Sequence, residues 1–204
     1  MKGLSTPTMT STPLCPKFVE WLKFDTCDDP QLIKVALACQ DWAYALKDSA
    51  RPRWLSILGV SGTGKTHCAS RLWNYANGRL KGGWTVTRSG FHYHQDTAYI
   101  PHKIFWPDFV QRLRTGAAYE LRDDMKRWPV LFLDDIGAER DASGFAAEEL
   151  NTLLAMRMGK WTLITSNKDF NGLKNVDARI ASRLIRNDNI CVSINTLDYA
   201  ARTK

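Results

Sequence analysis

The sequence of 204 residues has no apolar run long enough to cross a bilayer. Its N-terminal residues, Met1 to Pro13, are rich in Ser, Thr and Pro and lack the apolar stretch of a secretory signal peptide. None of the five cysteines belongs to a C-x-x-C pair, which is typical of reduced thiols in a cytosolic protein. We therefore expect a cytoplasmic protein with no membrane segment.

Histidine is scarce, with four residues in the whole chain. His92, His94 and His102 lie close together, but the sequence lacks the regular ligand spacing of a zinc site. The pattern favours surface or loop histidines over metal ligands.

Acidic residues are fewer than basic ones, 21 against 28, which gives a formal net charge of +7. This balance favours an acidic partner, nucleic acid first, although a solvated, mildly basic surface explains it as well. With 44% hydrophobic residues the chain can build one compact core. We predict a flexible tail over residues 1–16 and a single domain over residues 17–204.

The pattern predicts buried strands that alternate with helices. The predicted core strands are Trp54–Leu58, Lys103–Trp106, Val130–Leu133, Thr162–Thr165 and Ile190–Ile194. The predicted helices begin after Asp29-Pro30 and at His67, Asp108, Phe145 and Asp177. Residues 78–107 are the least informative; they include a Gly82-Gly83 turn, a strand over Trp84–Thr87 and a hairpin or insertion over Phe91–Ile100. Such alternation indicates a parallel α/β sheet covered on both faces.

Between the first strand and its helix the sequence fits the phosphate-loop pattern G-x-x-x-x-G-K-[ST]. Glycines allow a tight turn and a close approach of the backbone N–H groups to a phosphate. The ammonium of Lys65 can reach the β- and γ-phosphates, and the hydroxyl of Thr66 can bind Mg²⁺. The predicted nucleotide-binding stretch comprises Gly59, Val60, Ser61, Gly62, Thr63, Gly64, Lys65, Thr66 and His67.

Polar side chains follow the third and fourth core strands. Asp134 is placed to bind the Mg²⁺ shell, and Asp135 to orient or deprotonate a water molecule. Asn167, after the fourth strand, can hold the attacking water by hydrogen bonds. Paired acids and Ser-Asn also occur in ordinary turns, and the phosphate loop is what favours the catalytic interpretation.

Arg179 and Arg183 are four residues apart and share one helix face. Arginines presented together can neutralise charge on a γ-phosphate, but a solvated basic helix has the same spacing. Other basic residues, such as Lys103, Arg112 and Arg114, are candidates to face DNA.

The motifs resemble those of an AAA+ ATPase. Gly59–Thr66 resembles Walker A, Val130–Gly137 resembles Walker B, Leu163–Asn167 resembles the sensor 1 strand, and Asp177–Leu184 resembles the arginine-finger helix. Their order is similar to that of the DnaC/DnaI-type helicase loaders and their IstB-type transposition relatives. In many AAA+ proteins a Glu stands at the position of Asp135.

This resemblance implies an AAA+ P-loop NTPase fold with three layers and five parallel strands in the order 5-1-4-3-2. A lid domain would be absent or vestigial, because few residues follow Arg183. It implies hydrolysis of ATP with Mg²⁺ at a subunit interface, where Arg179, together with Arg183, acts on the nucleotide of a neighbour. The chain would then be an ATP-dependent homo-oligomer.

The function expected from the resemblance is loading of a replicative helicase, with binding of single-stranded DNA and of the helicase or another replication protein. A transposition helper that binds duplex DNA is the first alternative. A small-molecule P-loop kinase and a nucleotide-dependent adaptor without hydrolysis are the others. DNA stimulation of hydrolysis separates the first two from the kinase.

Overall fold

The computed structural model describes residues 13–48, 50–81, 84–87, 90–93, 101–139, 141–196 and 198. Residues 1–12 of the predicted tail over residues 1–16, the Gly82-Gly83 turn and residues 94–100 lie outside the described residues. Pro13 and Cys15 already contact the domain, because Gln40 donates a hydrogen bond to the carbonyl of Pro13 and accepts one from the backbone N–H of Cys15. The division of the chain at residue 17 stays a prediction.

Seven strands and eight helices form the described part of the chain. The strands are β1 (Trp54–Gly59), β2 (Trp84–Thr87), β3 (Gly90–Tyr93), β4 (His102–Phe105), β5 (Val130–Ile136), β6 (Trp161–Ser166) and β7 (Ile190–Ile194). The helices are α1 (Pro16–Leu22), α2 (Pro30–Lys47), α3 (Lys65–Lys81), α4 (Trp106–Arg114), α5 (Tyr119–Arg127), α6 (Phe145–Met156), α7 (Phe170–Val176) and α8 (Ala178–Leu184).

Five parallel strands form the central sheet in the order β4-β5-β6-β1-β7. Counted along the chain this is 2-3-4-1-5, which is the predicted order 5-1-4-3-2 seen from the other edge. β2 and β3 pair as a separate antiparallel hairpin. The predicted strand over Trp84–Thr87 is confirmed, and Gly90–Tyr93 supplies its partner.

Alternate residues of β1, β5 and β6 enter different hydrophobic clusters. On one face Leu55 and Ile57 pack with helices α1, α2 and α3. On the other face Trp54 and Leu58 pack with helices α4 to α8. The sheet is therefore the middle layer of three, as predicted for a P-loop NTPase.

Helix ends follow ordinary capping chemistry. Asp29 accepts a hydrogen bond from the backbone N–H of Gln31 at the start of α2, with Pro30 at the first helical position. Asp177 caps α8 in the same way, through the N–H of Arg179. Both helices were predicted at these positions, whereas α5 and α7 were not.

No helix in the described part of the chain is both long and apolar enough to span a membrane. The described residues after β7 form no helix. His102, one of the three candidate zinc ligands, stacks on Trp128 with ring centroids 3.6 Å apart, and the described residues contain no group of three or more His, Cys, Asp or Glu side chains able to hold a metal.

Candidate functional site

The carboxyl ends of the parallel strands meet at one edge of the sheet, where the phosphate loop crosses from β1 to α3. Gly59, the last residue of β1, has φ +122°, and a Cβ there would lie 1.9 Å from the carbonyl oxygen of Ile194. The neighbouring strand β7 therefore requires glycine at this point. The loop is fixed further by the N–H of Val60, which donates to the same carbonyl over 3.2 Å.

Gly64 lies where the loop turns into α3. Its φ is +90°, and a Cβ there would lie 2.8 Å from the ring of Phe24. The loop therefore presents bare backbone beneath a buried aromatic ring, as close approach to a phosphate requires. Helix α3 starts at Lys65, two residues before the predicted start at His67.

Lys65 points back across the loop, and its Nζ donates to the carbonyl of Val60 over 2.5 Å. Burial lowers the pKa of this lysine, while Asp135 and Asp134 act in the opposite direction. A desolvated ammonium with few competing partners is suited to bind a phosphate oxygen. The hydroxyl of Thr63 donates to the same carbonyl.

Asp134 lies at the end of β5 and is almost fully buried. Its Oδ1 accepts hydrogen bonds from the hydroxyls of Thr66, over 3.1 Å, and Thr165, over 2.6 Å. Its Oδ2 forms an ion pair with the Nζ of Lys103 at 3.1 Å. Thr66 and Asp134, the predicted metal-binding pair, are therefore in direct contact.

Asp135 owes its orientation to a bulge in β5 between Leu133 and Ile136. In a regular strand neighbouring side chains point to opposite faces. Here Asp135 adopts φ +64°, which is uncommon for a residue other than glycine. Both carboxylates consequently line the same cavity, and β5 extends through the two acids rather than ending before them as predicted.

Asn167, which was predicted to hold the attacking water, contacts Asp135 directly. Its Nδ2 donates to Oδ1 of Asp135 over 2.6 Å. Burial, and then the nearby charge of Asp134, raise the pKa of Asp135 above its ordinary value. A carboxylate with a raised pKa is better matched to accept a proton near neutral pH.

A cavity of about 640 Å³ connects these groups. The predicted site residues in its lining are Ser61, Gly62, Gly64, Lys65, Thr66, His67, Asp134, Asp135 and Asn167. Lys23, Phe24, Phe105 and Asp198 complete the described lining and were not predicted. Its volume lies in the range of ordinary small-ligand sites.

Residues distant in sequence complete the site. A Cβ on Gly62 would lie 2.1 Å from a carboxylate oxygen of Asp198, so this acid lies directly against the phosphate loop. The hydroxyl of Thr165 accepts from the N–H of Asp135 and donates to Asp134, which holds both acids in place. The only sequence signal for Thr165 is its position two residues before Asn167, on the neighbouring strand.

Arg179 and Arg183 do not belong to the described lining of this cavity. With Arg186, Ala178 and Ser182 they line a separate surface hollow of about 410 Å³. Arg179 forms ion pairs with Asp177 and Glu148, each at 2.7 Å, and these hydrogen bonds raise its pKa further. Arg183 donates to Asn151 and, over 3.2 Å, to the carbonyl of Arg179.

Two of the three basic residues predicted to face DNA are paired within the chain. Lys103 binds Asp134, as described above, and Arg114 lies 3.1 Å from Asp141. The prediction for Lys103 is corrected here, because the residue contacts the acid at the end of β5. Sequence cannot show this contact, because the two residues come from different strands.

The donor set fits Mg²⁺. Hydroxyl and carboxylate oxygens are the ligands that this cation prefers, and one or two protein ligands suffice because phosphate oxygens and waters supply the rest. Thr66 and Asp134 provide such a pair, 3.1 Å apart.

A family model described as the bacterial DnaA ATPase domain matches residues 33–190. Comparison with curated proteins found no match. Among solved structures, the chain is similar to the replication initiator DnaA bound to AMPPCP and single-stranded DNA, with 22% identity and a TM-score of 0.60. The match covers 90% of this chain and 51% of that one, so the chain spans about half the length of that DnaA.

Two further solved structures match over most of their length. DnaI has 22% identity and a TM-score of 0.62, with 88% of this chain and 92% of that chain covered. The DnaC helicase loader has 17% identity and a TM-score of 0.62, with 89% and 100% covered. At these identities the similarity shows a shared fold.

Proposed function

Since the chain belongs to the bacterial DnaA ATPase-domain family, we propose that it is an AAA+ ATPase of DNA replication that loads a replicative helicase and binds single-stranded DNA. The observation that carries the ATPase part is the arrangement of two polar pairs. Thr66 contacts Asp134, and Asn167 contacts Asp135. Both pairs line the cavity above the phosphate loop.

The phosphate loop would bind the triphosphate through its backbone N–H groups and the ammonium of Lys65. Lys65 now donates to a carbonyl of its own loop, and it would exchange this bond for a stronger one to a charged oxygen. Thr66 and Asp134 would hold Mg²⁺, which neutralises phosphate charge when bound.

Asp135 would receive the proton of the attacking water. Asn167 fixes this carboxylate by donating to one of its oxygens, which leaves the other oxygen available to the water. The amide oxygen of Asn167 can accept from the same water. Burial lessens competition from bulk solvent and raises the proton affinity of Asp135.

The arginines of α8 support a shared site. Arg179 is more than half exposed and lies outside the described lining of its own chain's nucleotide cavity. An exposed guanidinium can enter the site of an adjacent subunit, where it would stabilise charge on the transferred phosphoryl group. In the isolated chain, Asp177 and Glu148 hold it in place.

The helicase-loading part of the proposal draws on the shared fold with DnaI and the DnaC helicase loader. The DNA part draws on the net charge of +7 and on the similarity to a DnaA solved with single-stranded DNA. A net positive charge favours binding to the phosphate backbone of both single-stranded and duplex DNA. The form of DNA that stimulates hydrolysis separates a loader from a transposition helper.

The test is phosphate release as a function of protein concentration, without DNA, with single-stranded DNA and with duplex DNA. We expect a specific activity that rises with concentration, because the site is shared, and that single-stranded DNA increases most. The Lys65→Ala variant should be inactive, and Lys126→Ala, which changes a partly exposed lysine of α5 paired with Asp123, should retain activity. A wild-type specific activity that does not depend on protein concentration would refute the shared site. A specific activity that neither form of DNA changes would refute the DNA partner.

A further inference from the structure

Lys103 connects three elements around the nucleotide site. It lies on β4, the strand at one end of the sheet. Its Nζ forms an ion pair with Oδ2 of Asp134 on β5, at 3.1 Å, and donates to Oγ of Ser70 on α3, over 3.0 Å. A cation supplied by the chain itself therefore lies against the acid that is expected to bind the metal.

The strand register explains why Lys103 reaches this acid. Lys103 pairs with Phe132, and Phe105 pairs with Asp134. Paired residues of neighbouring strands project to the same face, and so do residues two apart on one strand. Lys103 and Asp134 thus belong to the same face of the sheet, the one that α3 covers.

The carboxylate of Asp134 has little access to water. Its side chain is 7% exposed, and the two threonine hydroxyls already occupy Oδ1. Lys103 holds Oδ2. The ammonium of Lys103 therefore already balances the negative charge of Asp134 that a divalent cation would need. A divalent cation that approached the same carboxylate would be repelled by this ammonium.

We propose that Lys103 is a positioning residue that competes with the divalent cation for Asp134. In the metal-free site Lys103 neutralises the buried carboxylate and keeps it oriented. When Mg²⁺ arrives with the nucleotide, the ammonium gives up Oδ2 and turns toward Ser70 and solvent. This inference rests on the proposed nucleotide site.

A merely structural lysine would behave differently. If the contacts of Lys103 with Asp134 and Ser70 only joined neighbouring elements, their loss would change the stability of the fold. It would leave the metal dependence of nucleotide binding unchanged. Competition links Lys103 to the metal, because removing one cation strengthens the binding of the other. The decisive quantity is the ratio of the nucleotide dissociation constant in EDTA to that in Mg²⁺.

The experiment measures this ratio with fluorescently labelled ADP by anisotropy, for wild type, Lys103→Gln, Lys103→Arg and Lys126→Gln. Gln keeps polar atoms near Asp134 and Ser70 but removes the charge, and Arg keeps the charge. Lys126, paired with Asp123 over 2.8 Å on α5, is the matched control. We expect the ratio to rise about tenfold in Lys103→Gln, since an opposite charge nearby changes the cation affinity of a carboxylate by that order.

The ratio should stay near the wild-type value in Lys103→Arg and Lys126→Gln. Electron paramagnetic resonance of Mn²⁺ should show tighter metal binding in Lys103→Gln at the same nucleotide concentration. An unchanged or smaller ratio in Lys103→Gln overturns the inference. If the wild type itself binds no nucleotide in either condition, the proposed function fails instead.

A measurement on the wild type covers the case in which Lys103→Gln does not fold. Amine acetylation followed by mass spectrometry reports how accessible each lysine is. With saturating ADP, Lys103 should react faster in Mg²⁺ than in EDTA, because the metal releases it from Asp134, while Lys126 should react equally in both. Equal reactivity of Lys103 in the two conditions contradicts the competition.

Discussion

At the scale of single residues, Asp135 combines two unfavourable features that point to a role beyond folding. Its φ of +64° is uncommon for a residue with a side chain. Its carboxylate lies near that of Asp134, and burial together with this charge raises its pKa. Strain and repulsion of this kind persist at sites where the rest of the structure imposes them.

Asp135→Asn should abolish hydrolysis and stabilise the nucleotide-free protein. The amide cannot accept the proton of a water molecule, so turnover should fall about 100-fold or more. It still accepts the bond from Asn167 and tolerates positive φ better than most residues. Phosphate release and thermal unfolding test the two effects, and a variant that is inactive because it is unfolded would contradict the second.

The pH dependence of this stabilisation has a definite sign. The folded-state pKa of Asp135 is raised, so ionisation of Asp135 favours the unfolded chain. This destabilisation is absent below the unfolded pKa and grows as the pH rises through the raised folded pKa. The gain in melting temperature from Asp135→Asn should therefore be larger at pH 8 than near the unfolded-state pKa of about 3.9, at about pH 4, and a gain independent of pH would count against repulsion as its cause.

Gly59 and Gly144 form a matched pair for backbone effects. Both have positive φ, but a Cβ at Gly59 would lie 1.9 Å from the carbonyl of Ile194, whereas at Gly144 nothing lies within 4 Å. Gly144→Ala should cost about 1–2 kcal/mol, the cost of a left-handed residue with a side chain. Gly59→Ala should cost more than about 3 kcal/mol, because β7 must also move. Urea unfolding measures the free energy of unfolding of both variants. Equal losses would show that the phosphate loop accommodates the added methyl group without displacing β7.

At the scale of elements, Arg157 connects the ends of two helices and a strand. This fully buried residue follows α6 and donates to Thr162 and to the carbonyls of Met125, Trp128 and Trp161. Burial lowers its pKa to about 9, so it remains charged at neutral pH. The carbonyls of two segments, at the end of α5 and the start of β6, depend on it.

Arg157→Leu should destabilise the domain by more than about 3 kcal/mol, because it leaves several buried acceptors without a donor. The control is Arg127→Leu. Arg127 is 75% exposed and forms an i,i+3 ion pair with Asp124, so its loss should change stability by about 0.5 kcal/mol or less. Urea unfolding followed by circular dichroism compares the two, and similar losses would contradict a special role for Arg157.

The elements also show where sequence reasoning succeeds. Among the five core strands, β1, β5 and β6 were predictable because each is mostly apolar, which is what burial on both faces demands, whereas β4 carries Lys103 and is only partly buried. The phosphate loop, the two acids and Asn167 were predictable because their order along the chain is itself informative. Helices α5 and α7 were not, since each is short, with nine and seven residues, and has a single fully buried hydrophobic residue, Met125 and Leu173 respectively.

The site residues that sequence missed come from segments far apart in the chain. Phe24 precedes Gly64 of the loop by forty residues and Asp198 lies after the last strand, yet both line the cavity. Lys103 was given a different role, because its partner is visible only when β4 and β5 are paired in register. Contacts of this kind depend on the order and register of the strands, and the local sequence pattern around each residue does not reveal them.

At the scale of the whole molecule, the proposed shared site predicts complementation between two inactive variants. Lys65→Ala lacks a working nucleotide site but keeps its arginines, and Arg179→Ala has the reverse defect. We expect each alone to lose turnover, by at least about tenfold for Arg179→Ala. In an equal mixture about one quarter of interfaces in a head-to-tail assembly would combine the intact halves, so activity should recover to about that fraction.

The control for this mixture is Arg127→Ala in place of Arg179→Ala. Arg127 lies on α5 and is mostly exposed, so this variant alone should be as active as wild type. Nucleotide binding by Arg179→Ala should remain intact, as measured by anisotropy. A mixture that stays inactive while both proteins are folded would argue against a site divided between subunits.

Four of the eight tryptophans, Trp42, Trp54, Trp106 and Trp161, are at most 1% exposed. Trp42 and Trp161 meet edge to face in the hydrophobic cluster on one face of the sheet, and Trp54 and Trp106 belong to the cluster on the opposite face. Each side of the sheet thus carries its own pair of natural fluorophores shielded from water. The spectrum of the unlabelled chain should shift to the red in a single step if both sides melt together, and in two steps if one side loosens first.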